Sequence, residues 1–109
     1  MRKPSYNLGL IGLCSSLAAT AMADESISAE RAEQIYNETC VVCHAQGMHS
    51  APMPGVKADW EDRLAYGIED IYLNAIEGMG GSMPARGMCN DCSDEEMRAV
   101  VDFMMKDVL

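Results

Sequence analysis

Residues 40–44 read Cys-Val-Val-Cys-His, two cysteines three apart with a histidine directly behind the second. Residues three apart on a helical turn face the same side. Both thiols therefore point one way, and the following imidazole is carried round beneath them. That arrangement suits a flat ligand gripped along one edge. The two sulfurs form thioethers with the vinyl groups on one side of a porphyrin, and His44 presents a nitrogen to the metal at its centre. Cys-x-x-Cys-His is the attachment pattern of c-type haem. It predicts a single haem c, bound covalently through Cys40 and Cys43, with its iron on His44.

Two other chemistries use such cysteines. A redox-active Cys-x-x-Cys belongs at the head of a βαβ unit, and no such pattern surrounds residue 40. A structural zinc site needs four ligands, and a second pair with the same spacing, Cys89 and Cys92, makes that arithmetic possible. Zinc is the main competing reading, but it leaves His44 and the loop around Met83 without a task.

The opposite face of the iron needs its own ligand. A thioether sulfur is a soft donor suited to iron, and a His/Met pair raises the reduction potential. Ten methionines are too many for composition to choose among. Met97, Met104 and Met105 fall on or beside the stripe of the last helix and read as core filler. The loop candidates are Met48, Met53, Met79, Met83 and Met88. Met83 lies midway along a glycine-rich stretch and directly before Pro84, whose fixed φ and missing N–H hold an irregular loop in place. Met83 is therefore the expected second metal ligand. His49 as the distal ligand would require the chain to round the ring within five residues.

The periodicity predicts four helices. Ser28 is a candidate N-cap with Glu30 in the first turn, and Ala32, Ile35, Tyr36 and Thr39 share one face. Asp59 is the expected cap of a short second helix carrying Trp60 and Leu64. A third helix from about Glu69 has a stripe of Ile68, Ile71, Tyr72 and Ala75 and ends at Gly78. Ser93-Asp94-Glu95-Glu96 is a capping box, and Met97, Val100, Val101, Met104 and Val108 form the buried stripe of the last helix. No alternating apolar run suggests a strand. The fold class is all-α, about four helices packed around one covalently bound haem, with two loops (residues 45–56 and 78–91) too long for so small a domain unless they pack on something.

The N-terminal residues read as an export signal. Arg2 and Lys3 precede a mostly apolar stretch over residues 8–19, and Ala21-Met22-Ala23 offers the small-x-small cleavage pattern. The apolar stretch is short for a membrane span. Cleavage after Ala23 would leave residues 24–109 as one domain of 86 residues in the periplasm, and loss of Arg2 and Lys3 takes the formal charge from −9 to −11. A surface of that sign repels nucleic acid and anionic lipid and draws basic docking patches.

Several motifs together resemble the class I c-type cytochromes, and within them the short bacterial c-five type. They are Cys40 to His44; Ala51-Pro52 with Gly55; Trp60-Glu61-Asp62-Arg63; Met83-Pro84-Ala85-Arg86-Gly87; and Cys89-Asn90-Asp91-Cys92-Ser93-Asp94-Glu95-Glu96. The resemblance spans nearly all of residues 28–109. It implies His44 and Met83 as axial ligands, and the Pro52 carbonyl as acceptor for the other nitrogen of His44. Trp60 and Arg63 would lie near a haem propionate, although a core indole and a solvated charge are their plainer readings. It implies a small disulfide between Cys89 and Cys92, a pair followed by Ser93 rather than a histidine. It also implies that the first and last helices cross.

These features point to an electron carrier with no chemistry on a substrate. The resemblance implies shuttling between a quinol-oxidising membrane complex and a terminal oxidase or another periplasmic reductase. The chain is expected to be a monomer or a weak dimer. The alternative is a ligand-binding or sensor protein with an open sixth position. No distal acid–base residue supports that reading, since His49 is the only spare histidine.

Overall fold

Ser28 breaks from extended backbone, and its hydroxyl accepts from the Arg31 N–H at 3.1 Å, starting helix α1 (Ala29–Ile35). The computed structural model describes residues 2, 4–5, 9–16 and 26–109. The expected cleavage site at Ala21 to Ala23 lies outside the described residues. After α1 the chain widens into one π turn (Tyr36–Cys40), with the Val41 N–H reaching back to the Tyr36 carbonyl, and tightens again as α2 (Val41–His44). These three pieces form one continuous helical segment. α3 (Lys57–Leu64), α4 (Ile68–Glu77) and α5 (Asp94–Met104) complete the four, and no strand occurs among the described residues.

α5 is the spine. The Ser93 hydroxyl accepts from the Glu96 N–H at 3.1 Å, and the Glu96 carboxylate accepts from the Ser93 N–H at 3.2 Å, completing the capping box. Its stripe of Met97, Val100, Val101 and Met104 is buried, as are Met105 and Val108 beyond it. Side chains covered this fully contribute about 1.5–3 kcal/mol each. α1 lies across one side of α5 and brings Ala32, Ile35 and Tyr36 into the same core. The rings of Tyr36 and Phe103 meet at 5.3 Å, tilted by 51°. The Arg31 guanidinium reaches the Glu96 carboxylate at 2.6 Å.

α4 lies along another side of α5. Arg98 grips the Glu69 carboxylate with two nitrogens at 3.1 and 3.0 Å, and its guanidinium sits 4.7 Å over the Tyr72 ring. The Tyr72 hydroxyl donates to Asp102 at 2.5 Å. Burial, reinforced by this bond to Asp102, pushes the Tyr72 phenol up to about 12.

The Ser93 backbone N–H and then the Arg31 guanidinium hold the Glu96 carboxyl below the usual glutamate range. A carboxyl depressed in the folded chain stabilises it above the unfolded pKa of about 4.3, and that contribution disappears as pH falls through the lower folded value. Glu96→Gln keeps a side chain able to cap but loses the charge. It is expected to lower stability by roughly 0.5–1 kcal/mol at neutral pH, with the gap closing in acid. Thermal unfolding of both proteins across that range measures it, and a gap that persists in acid would remove the carboxylate from the account.

Candidate functional site

α3 does not begin as the sequence suggested. Its N-cap is Val56, with no side-chain cap, and Asp59 lies in the first turn. The Asp59 carboxylate instead accepts the Met53 N–H at 3.0 Å, while the Trp60 indole N–H donates to the Met53 carbonyl at 2.9 Å. Held by both of its peptide groups, Met53 fixes the position of the residue before it. The Pro52 carbonyl then lies 2.8 Å from His44 Nδ1. A carbonyl only accepts, so Nδ1 carries the proton and Nε2 keeps its lone pair. The chain returns from α2 to Pro52 through Gly47, His49 and Ser50, at φ 66°, 53° and 63°. Left-handed backbone costs about 1–2 kcal/mol at each non-glycine residue, so the tight return is held against local preference.

The second long loop turns as tightly. α4 stops at Gly78, φ 82°, and the Met79 N–H closes on the Met83 carbonyl at 2.8 Å. A Cβ at Gly78 would lie 2.8 Å from the Ala85 nitrogen and 2.9 Å from the Met83 carbonyl oxygen. Backbone approaches backbone so closely here that only glycine fits. Beyond Pro84 a short 3₁₀ turn (Ala85–Met88) contains three successive left-handed residues, Arg86, Gly87 and Met88. At Gly87 the position a Cβ would take is 3.8 Å from Cys40 Sγ and 3.9 Å from Met83 Cε.

Between the two loops lies a cleft with about 1010 Å³ of empty space, including its solvent-open side. His44 and Met83 both line it, as do Cys43, Pro52, Trp60 and Arg63. Ile71, Ala75, Val101 and Met104 supply apolar wall from α4 and α5. Cys40 is buried and is not among the residues that line the cleft; its sulfur is 3.4 Å from the Thr39 hydroxyl, and it is not bonded to Cys43. Burial pushes the Cys40 thiol up. Two unpaired thiols one helical turn apart, a buried imidazole with a free nitrogen, a thioether and apolar walls form a donor set that fits haem.

Of the five loop methionines, Met79 and Met83 line this cleft, whereas Met48, Met53 and Met88 do not. His49 also lines it and is exposed. Trp60 is 2 % exposed with its N–H spent on Met53, and Arg63 donates to the Asp59 carbonyl at 2.5 Å and the Ser50 carbonyl at 3.2 Å. Both residues expected near a propionate thus stand at the cleft, with donors bonded to backbone. The sulfurs of Cys89 and Cys92 meet at bonding distance, with Cα atoms 5.4 Å apart. Ser93, which follows, is the N-cap of α5. Among the described residues the only close grouping of potential metal donors is Cys89, Asp91 and Cys92, so the four cysteines do not converge on one point as zinc would require.

Comparison with known proteins shows the family. A family described as cytochrome C oxidase, cbb3-type, subunit III matches residues 28–104. A cytochrome c5 from Ectopseudomonas mendocina is 37 % identical over 78 residues, covering 70 % of this chain and 88 % of that protein. A mono-haem ferrocytochrome c from Shewanella putrefaciens is 45 % identical with a TM-score of 0.60, covering 69 % of this chain and 91 % of the other. A chain from a crystal structure of an electron-transfer complex of nitrite reductase with cytochrome c has 35 % identity and a TM-score of 0.63, covering 72 % and 95 %.

The chain belongs to this cytochrome c family, as a small class I c-type cytochrome. Its cofactor is accordingly covalently bound haem c with iron, and it is an electron-transfer protein rather than an enzyme.

Proposed function

We propose that this protein is a periplasmic, single-haem carrier shuttling one electron at a time, with the haem attached through Cys40 and Cys43 and the iron held between His44 and Met83. The observation that carries the reading is that His44 and Met83 line one largely apolar cleft with Cys43, with Pro52 bonded to the far nitrogen of the imidazole. The bound iron supplies the one-electron couple. His44 offers Nε2, and the Nδ1 bond to Pro52 keeps the ring from turning and strengthens it as a donor. The Met83 carbonyl accepts the Met79 N–H, and Pro84 follows directly with its fixed φ. With His44 and Met83 at fixed positions, little in the protein would rearrange when the charge changes. Ile71, Ala75, Val101 and Met104 exclude water and disfavour the more highly charged oxidised state, raising the potential.

Trp60 and Arg63 are assigned to the haem environment. Cys89 and Cys92 are assigned as a disulfide that stiffens the turn before α5, a short loop adding little to global stability. Residues 1–23 are assigned as a cleaved signal, leaving the domain 24–109. No helix among the described residues is long and apolar enough to cross a membrane.

Redox proteins are the partners. The similar cytochrome solved with nitrite reductase supports that class, and a quinol-oxidising membrane complex with a terminal oxidase or periplasmic reductase fits it. Four arginines, Arg31, Arg63, Arg86 and Arg98, already bond to acceptors inside the fold. The exposed charge is correspondingly acidic, which favours a basic docking face and acts mainly on orientation and on-rate.

Mass spectrometry of the protein from its native host, with and without reductant, tests the assignments together. The expected mass is residues 24–109 plus one haem, minus the two hydrogens of a Cys89–Cys92 bridge. A chain without haem, or with haem on a peptide other than residues 40–44, would overturn the reading.

A further inference from the structure

Arg86 sits at φ 56°, in a backbone region that a long side chain avoids, although glycine would sit there without strain. Such strain persists where the surroundings impose it, and it concentrates at ligand clamps. The side chain shows what imposes it here. Arg86 Nη1 donates to the Cys92 carbonyl at 2.9 Å, and Nη2 pairs with the Asp94 carboxylate. One guanidinium therefore straps the turn that follows Met83 to the residues that open α5. The Gly87 N–H returns to the Pro84 carbonyl at 3.0 Å, so the strap is tied within one turn of the sulfur-bearing residue. The position a Cβ would take at Gly87 lies 3.9 Å from Met83 Cε and 3.8 Å from Cys40 Sγ, so this turn passes close to both sulfur-bearing side chains.

We propose that Arg86 is a positioning residue for Met83: its guanidinium anchors the Met83 turn to the start of α5 and thereby sets how firmly the Met83 sulfur holds the sixth position. This rests on the assignment of Met83 as a ligand. The bond to the Cys92 carbonyl is the stronger element, because the Asp94 side chain is more than half exposed and a screened ion pair contributes little. Lysine keeps the charge but lacks the planar fork that reaches two acceptors. Glycine relieves the left-handed backbone and removes the strap altogether.

The test uses the oxidised holoprotein and imidazole as a competing ligand, read by loss of the far-red sulfur–iron charge-transfer band. Arg86→Lys and Arg86→Gly are expected to retain haem and helical content, with imidazole displacing Met83 at about tenfold lower concentration, the effect of losing one charge-assisted hydrogen bond. Arg31→Lys weakens a different ion pair, between α1 and α5. It is expected to lower the unfolding temperature while leaving the displacement concentration unchanged. Unchanged displacement in both Arg86 variants would overturn the inference, as would an equal shift in Arg31→Lys. A wild-type protein without the band would instead overturn the ligand assignment, and this inference with it.

Discussion

Met83→Ala is expected to abolish the far-red sulfur–iron band and open the sixth position. The reduced variant then takes up carbon monoxide, which the parent protein resists. The reduction potential falls by on the order of 0.1 V, because a thioether favours the reduced iron and axial ligands as a class span about 0.8 V. Helical content should change little, since Met83 lies in a loop whose closing bond, from the Met79 N–H to the Met83 carbonyl, is backbone to backbone. Absorption spectra with and without carbon monoxide measure the first effect, and redox titration measures the second. Persistence of the band would give the ligand role to Met79, the other loop methionine on the cleft.

The larger structural effect is expected from Cys40→Ala combined with Cys43→Ala. Both thioethers are lost, and the cleft is left without a tethered occupant. A domain of this size has little core to spare, and the walls that would be exposed include Trp60, Ile71 and Val101. The variant should carry no covalent haem by mass and show greatly reduced far-UV ellipticity at ambient temperature. Cys89→Ala with Cys92→Ala should keep the haem mass and most of the helix signal. If instead the second pair abolished haem attachment and the first did not, the site would have to be rebuilt around residues 89–92.

Much of this was legible because local chemistry and tertiary packing agree. The capping box at Ser93 to Glu96 forms both of its bonds, and the stripe of α5 is buried as the 3.6-residue period requires. Ser28 and Gly78 bound their helices for the same reason. The loop after His44 is legible from its glycines and prolines, whereas the Pro52 carbonyl as acceptor is implied only by the resemblance. Asp59 was misread because a carboxylate near a helix start has two uses. Local pattern favours capping its own helix, but the nearby Met53 N–H, six residues back, takes it instead. The left-handed turns at His49, Ser50, Arg86 and Met88 are not legible in the sequence, because no glycine marks them. At Arg86 the side chain is held by the Cys92 carbonyl and the Asp94 carboxylate, six and eight residues on, which no periodicity marks. The tertiary bonds of Arg31 and Arg98 escaped for the same reason: periodicity marks faces, not partners.

The π turn at Tyr36–Cys40 matters beyond local geometry. An added residue in a helix of 3.6 residues per turn advances everything downstream by about 100°. Upstream, Ala32 and Ile35 are fixed by their grip on α5; downstream, His44 is fixed by Pro52. The wide turn is a phase adjuster between these anchors, letting one continuous rod serve two surfaces that a uniform helix would present at a different mutual angle. The offset between the face that packs on α5 and the face that presents His44 is thus set by this one wide turn.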